Sequence, residues 1–215
     1  MSEQHYLPAL RFQALTRFFD PLLRVAMPER RFKRALIEQA DPEPGQRVLD
    51  LGCGTGTLAL MVKRAQPGAE VVGLDADLEI LEQARAKARE AGAEIQLDRG
   101  FSTELPYEDG SFDLVLSTLF FHHLAGADKR RTAAEIARVL RPGGELHVAD
   151  WGRPQDPLMR AAFGAVRLFD GIEPTRDNAA GALPGIFEDA GLEAAEQTTR
   201  FRTVFGTLAL IRAHR

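Results

Sequence analysis

The segment Val48 to Gly56, VLDLGCGTG, constrains this chain more than any other: an apolar run ends in three alternating glycines directly before a stretch that reads as helix. Glycine reaches backbone angles closed to other residues and lets a ligand approach the main chain, and a helix N-terminus offers unpaired N–H groups. A strand, a glycine turn and a helix in that order describe the edge of an open α/β sheet. The spacing GxGxG differs from the GxGxxG of dinucleotide sites, where the glycines shape the turn and the packing around a pyrophosphate. Asp50, just before the turn, places a negative charge that suits a cationic ligand better than a phosphate.

About one βα unit downstream, VVGLDAD puts Asp75 at the end of a second apolar run. A carboxylate there can accept both hydroxyls of a ribose, so Gly52, Gly54, Gly56 and Asp75 together describe a nucleoside-binding crevice. Short apolar runs continue to alternate with amphipathic stretches, the pattern of a largely parallel sheet covered by helices on both faces. Strands are expected at 47–51, 70–75, 94–98, 112–117, 144–149, 193–199 and 203–212, the last interrupted at FGT. Helices are expected at 57–66, 77–91, 128–140, 157–169 and 184–190. Asp77 caps the second of these and Gly92 follows its last turn. The stretch EPTRDNAAGALPG reads as a loop, and the closing strands pair antiparallel because little chain separates them.

Two segments lie outside this pattern. Residues 1–40 read as a helical lid or cap, with Phe12, Leu15, Phe18 and Phe19 on an apolar face and a helix beginning at Pro28. Residues 41–215 then form the main domain, with a helical insertion on the substrate side at about 151–190. Over residues 28–34, PERRFKR carries four positive charges and one negative, a solvated face or a steering patch for an anionic molecule or lipid.

Composition narrows the function classes. A net charge of −4 argues against a general nucleic-acid coat. Cys53 is the single cysteine, so no internal disulfide, thiol pair or cysteine-rich metal cluster can form. No signal segment or long apolar run is present, and a cytoplasmic location is the expectation.

Taken in order, VLDLGCGTG at 48–56, GLDAD at 73–77, LPYEDGSFDLVLS at 105–117 and ARVLRPGGELHVAD at 137–150 resemble the class I S-adenosylmethionine-dependent methyltransferases. Within that superfamily the chain is similar to the group that includes the ubiquinone and menaquinone biosynthesis enzymes. The resemblance implies a Rossmann-like seven-stranded sheet in the order 3-2-1-4-5-7-6 with strand 7 antiparallel. It implies S-adenosylmethionine as cofactor and S-adenosylhomocysteine as its product. The backbone around Gly52, Cys53 and Gly54 would face the methionine portion, with Asp50 near its amino group. Asp75 would hold the ribose, Ala76 or Leu74 would contact adenine, and Ser117, Thr118 and Leu119 would lie near the reactive end.

One position departs from the family pattern: the acidic residue often found four places before LP is Phe101 here, and Asp98 lies three residues earlier. Phe101 is expected to pack near adenine while the backbone of Ser102 reads its edge. His123 and His122 are the candidate catalytic groups, with His123 preferred and only one of the two expected to enter the site, because adjacent side chains diverge. Asp150 could receive a substrate proton or orient an amine. No metal site is expected, since His147 lies on another strand and His5 and His214 lie near the termini.

The resemblance points to methyl transfer onto an O or N atom of a small molecule. C-methylation of a quinone-like or lipid-like ring is the next reading. A catalytically inactive cofactor-binding scaffold and a nucleotide-dependent oxidoreductase remain as alternatives from other classes. Arsenite and nucleic-acid acceptors are disfavoured by the lone cysteine and by the lack of a basic domain or NPPY run. A homodimer through the N-terminal segment or the last strands is compatible with the apolar residues there.

Overall fold

The computed structural model of the chain describes residues 29–215. The strands are β1 (Arg47–Leu51), β2 (Glu70–Asp75), β3 (Gln96–Arg99), β4 (Phe112–Thr118), β5 (Leu140–Trp151), β6 (Glu193–Thr203) and β7 (Gly206–His214). They form one seven-stranded sheet in the order β3-β2-β1-β4-β5-β7-β6. The pairs from β3 across to β5 are parallel, and β7 runs antiparallel to both its neighbours. This is the order and polarity expected from the sequence.

The helices are α1 (Glu29–Ala40), α2 (Thr57–Ala65), α3 (Leu78–Glu90), α4 (Gly126–Val139), α5 (Pro157–Asp170), α6 (Arg176–Ala180) and α7 (Leu183–Asp189). Successive strand residues face opposite sides of the sheet, so a strand covered on both faces must be apolar throughout. In β1, Val48 joins a core with Phe32 and Leu36 of α1, Leu58 and Val62 of α2, and Phe163 of α5. Leu49 and Leu51 join the other core, with Ile136 of α4 and Ile186 and Phe187 of α7. The helix starts follow local chemistry: Asp77 Oδ1 accepts the N–H groups of Glu79 at 2.8 Å and Ile80 at 3.3 Å, and Asp156 Oδ1 accepts that of Met159 at 2.9 Å.

Several boundaries shift by a few residues, and two differences lie in the later part of the chain. The break between the last strands falls at Val204 and Phe205, before FGT is complete, because Thr203 Oγ1 donates to Gly206 O and accepts from Phe205 N. Gly206 then has φ of 134°, a conformation that favours glycine. The second difference is α6, which occupies part of the stretch expected to be loop. Its helix is held by tertiary contacts: Thr175 and Asn178 are fully buried, and Lys129 of α4 reaches Asp177 at 3.6 Å. The apolar N-terminal face at Phe12, Leu15, Phe18 and Phe19, with Tyr6 and His5, lies outside the described residues. No helix among the described residues is long and apolar enough to cross a membrane.

Candidate active site

The carboxyl ends of β1 and β2 meet the glycine turn. Gly52 N and Cys53 N both donate to Leu74 O, at 2.9 and 3.0 Å, which draws the turn over the end of β2. Gly52, Gly54 and Gly56 all have positive φ, between 52° and 69°. Their neighbours give them separate reasons to be glycine. A Cβ at Gly52 would lie 2.4 Å from the Phe120 ring and one at Gly56 would lie 3.1 Å from Ala84 Cβ, whereas one at Gly54 would meet nothing within 4 Å. The first and third glycines are therefore packing positions, and the middle one leaves open space beside the main chain.

Two carboxylates hold the glycine turn and the helix that follows it. Asp75 Oδ2 accepts Gly54 N at 2.9 Å and Oδ1 accepts Asp77 N at 3.1 Å, so each oxygen keeps a further acceptor direction. Asp50 is buried; its Oδ2 accepts Ala59 N at 2.9 Å, while its Oδ1 has no hydrogen-bond partner among the described residues. Burial pushes the Asp50 pKa up to about 7, against the lowering effects of Lys33 and of the Ala59 N–H. A buried, unpartnered carboxylate oxygen is costly unless a cation or donor satisfies it. Cys53 is buried with its thiol pushed well above the ordinary range, first by burial and then by Asp50, so it stays protonated and packs beneath Gly73.

The residues expected on the adenine side follow the ends of β2 and β3. Phe101 is 42% exposed at the end of β3, and Ala76 O accepts from Arg99 Nε at 3.3 Å. Ser102 is buried with its hydroxyl on Thr132 Oγ1 at 2.8 Å, which leaves only its backbone for any ligand. Asp98 Oδ2 accepts the Tyr107 hydroxyl at 3.1 Å and Gln96 Nε2 at 2.7 Å.

The second group lies at the ends of β4 and β5. Ser117 is fully buried and donates to Leu51 O at 2.9 Å, so its hydroxyl ties β4 to β1. Leu119 follows with φ of 52°, strained for a branched residue, and its N–H donates to Ala149 O at 2.9 Å. The chain then enters a 3-10 turn, Phe121–His123. Asp150, at the end of β5, organises it. Its Oδ2 accepts Phe120 N at 2.9 Å and Phe121 N at 2.7 Å, while Oδ1 accepts His122 Nδ1 at 2.7 Å, Trp151 N at 2.7 Å and Asn178 Nδ2 at 3.2 Å. Complete burial pushes its pKa up, yet His122 and the backbone donors outweigh that and hold it below the ordinary range. An ionised carboxylate only accepts, so His122 Nδ1 carries a proton. Asp150 has no exposed surface, and both carboxylate oxygens are taken up by the histidine turn, Trp151 N and Asn178.

His122 is 4% exposed, and the His123 side chain 39%. Their rings do not diverge as expected; the centroids are 3.9 Å apart because the turn is tight. Although its ring stays partly open, His123 is held well below the usual imidazole pKa by lost hydration and then by His122. Trp151 is packed inside, 5.9 Å from the Phe163 ring. Two residues here were missed from sequence. Asp170 ends α5 with its carboxylate 3.7 Å from both histidines, and Asn178 of α6 bonds Asp150 and Trp151 O. Neither sits in a recognisable motif; only the fold brings them here.

A model of the methyltransferase domain family matches residues 48–144. A demethylmenaquinone methyltransferase of Thermus thermophilus is 40% identical over 136 residues, 63% of this chain and 59% of the relative. A 2-phytyl-1,4-naphtoquinone methyltransferase of Synechococcus elongatus is 33% identical over 171 residues, 78% of this chain and 72% of the relative. The chain belongs to the class I S-adenosylmethionine-dependent methyltransferases. The match spans under two thirds of the length of the demethylmenaquinone enzymes, 59% in Thermus thermophilus and 63% in Deinococcus radiodurans. The crystal structure of YcgJ from Bacillus subtilis shares this methyltransferase fold, with a TM-score of 0.70 at 21% identity over 85% of this chain and 97% of that one.

Proposed function

We propose that the chain transfers a methyl group from S-adenosylmethionine to a hydroxylated aromatic small molecule of the reduced-quinone class. The observation that carries this reading is the unpartnered Asp50 Oδ1 just before the glycine turn, with open space at Gly54 and Asp75 accepting Gly54 N. These residues fit the cofactor: Asp50 takes the amino group, the backbone of Gly52, Cys53 and Gly54 lies along the methionine portion, and Asp75 accepts the ribose hydroxyls. Ala76 and the exposed ring of Phe101 flank adenine, with the Ser102 backbone at its edge. Ser117 contributes its main chain, and Leu119 closes the reactive end. When bound, the cofactor supplies an electrophilic methyl carbon on a sulfonium sulfur.

The protein's share of the chemistry is alignment and proton removal. His122 Nε2, with Nδ1–H fixed by Asp150, accepts the acceptor's hydroxyl proton. His123 stands beside it as a neutral positioning group, so the preference moves from His123 to His122. Once the proton is removed, either the oxygen or the neighbouring ring carbon carries the attacking electron pair; after attack through carbon, the proton on that carbon leaves and the oxygen regains one, which restores the aromatic ring. A relative named as a ubiquinone/menaquinone biosynthesis C-methyltransferase favours carbon as the site, ahead of O- or N-transfer.

The test begins with calorimetric titration of the cofactor-stripped chain with S-adenosylmethionine, S-adenosylhomocysteine and NAD, followed by incubation with reduced quinones and simple phenols. Binding of the first two ligands and a ring-methylated product support the reading. NAD-selective binding would turn the assignment to an oxidoreductase, and cofactor binding without transfer to any hydroxylated ring would turn it to a scaffold.

A further inference from the structure

The histidine turn brings more ligating atoms to one point than a proton acceptor requires. His122 Nε2 is 3.7 Å from Asp170 Oδ2, and His123 Nδ1 is 3.7 Å from Asp170 Oδ1. One ligand atom from each of the three side chains lies within 4.8 Å of the other two. Separations of 3.7 Å are too long for hydrogen bonds. They are close to the spacing between neighbouring ligands around zinc, about 3.3–3.4 Å for tetrahedral bonds of 2.0–2.1 Å.

Two further observations point to a cation. Asp150 holds His122 Nδ1–H at 2.7 Å, which fixes the ring and leaves Nε2 as the ligating atom, the outer-shell arrangement of metal-bound histidines. Asp170 is the last residue of α5, where the helix carbonyls already place partial negative charge. Among the described residues no lysine or arginine lies within ion-pair distance of it, and its two near neighbours are the imidazoles.

We infer that His122 Nε2, His123 Nδ1 and one oxygen of Asp170 form a binding site for a divalent first-row cation of the zinc class. Two imidazoles and one carboxylate select such borderline cations over magnesium or calcium, which prefer oxygen alone. Three protein ligands leave a coordination position open. The chemical consequence rests on the methyl transfer proposed above and is an alternative to its base: in the metal-free chain Nε2 accepts the proton, whereas with the cation bound Nε2 is a ligand and an acceptor hydroxyl at the open position would release its proton to solvent through coordination. Cation binding itself does not depend on that reading.

The experiment uses the full, tag-free chain stripped with a chelator and titrated with Zn²⁺ against a chromophoric competitor, with Co²⁺ absorbance as a second readout. One equivalent should bind, and affinity should fall at least tenfold in Asp170→Asn and in His123→Ala while His214→Ala stays unchanged. The visible Co²⁺ bands should disappear in Asp170→Asn. Lack of a stoichiometric site, or equal affinity in the parent and both variants, overturns the inference. A parallel S-adenosylmethionine titration separates the two readings: cofactor binding without a zinc site overturns this inference alone, and a zinc site without cofactor binding supports it while overturning the proposed function.

Discussion

The glycine turn at the ends of β1 and β2 and the histidine turn at the ends of β4 and β5 lie on the same edge of one sheet and are built in different ways. The first is made from a few residues close in sequence, and its polar contacts are mainly between backbone N–H groups and two carboxylates. The second gathers Leu119, His122, His123, Asp150, Asp170 and Asn178 from five separate elements or turns around one buried carboxylate. A site of the first kind tolerates change in distant helices. One of the second kind depends on all of them being in place.

The largest effect should therefore come from Asp150. Asp150→Ala strands several donors, three of them backbone N–H groups, in a dry interior, and we expect a loss of about 3–5 kcal/mol in urea unfolding. A loss under about 1 kcal/mol would mean that the histidine turn holds its shape without the carboxylate. Asp150→Asn keeps the volume but removes the charge and replaces one of the two accepting oxygens with an NH2 donor facing His122 Nδ1–H or the turn's N–H groups. It should reduce kcat and alter its pH profile while S-adenosylmethionine affinity stays near that of the parent, which a merely structural role would not do.

The histidines come next. His122→Ala should lower turnover by about 10²–10⁴-fold, the usual range for a positioned base, with cofactor affinity retained. His123→Ala should cost less, since its depressed pKa suits a neutral neighbour better than a base. Equal losses in steady-state assays on the identified acceptor would remove the distinction between them.

How much of this could be read from the chain follows the same division. The strand and helix pattern and the cap at Asp77 are legible because periodicity and turn chemistry act over a few residues, while the sheet order follows from the family resemblance. Gly52 and Gly56 are right as glycines for another reason, close packing on Phe120 and Ala84, which no local pattern reveals. Ser102 and Ser117 turn their hydroxyls onto Thr132 and Leu51, choices made by helix and strand neighbours 30 and 66 residues away. Asp170 and Asn178 are ordinary helix residues until α5 and α6 dock, and α6 itself exists through those contacts.

On the glycine side, Asp75→Ala removes an acceptor that charge-assisted hydrogen bonding should make worth about 1.5–3 kcal/mol to a ribose. S-adenosylmethionine should bind at least tenfold more weakly by calorimetry while the variant remains folded. Unchanged affinity would move the ribose elsewhere and leave Asp75 as a brace for Gly54 alone.

The smallest effect separates the two turns by pH. Asp50 is held up to about 7 by burial, so the folded chain keeps this proton more tightly than the unfolded one. Its contribution to stability is complete below the unfolded carboxyl value and is lost as pH rises through 7. Cofactor binding should run the opposite way, because only the ionised carboxylate attracts an ammonium group. Affinity should rise by up to about tenfold per unit as pH approaches 7 from below and then level off. Asp50→Asn should flatten both slopes, whereas His122→Ala should leave them intact. If calorimetry between pH 5.5 and 7.5 finds the binding slope undiminished in Asp50→Asn, the ionising group lies elsewhere, and the unpartnered oxygen beside the glycine turn serves some purpose other than receiving the cofactor's amino group.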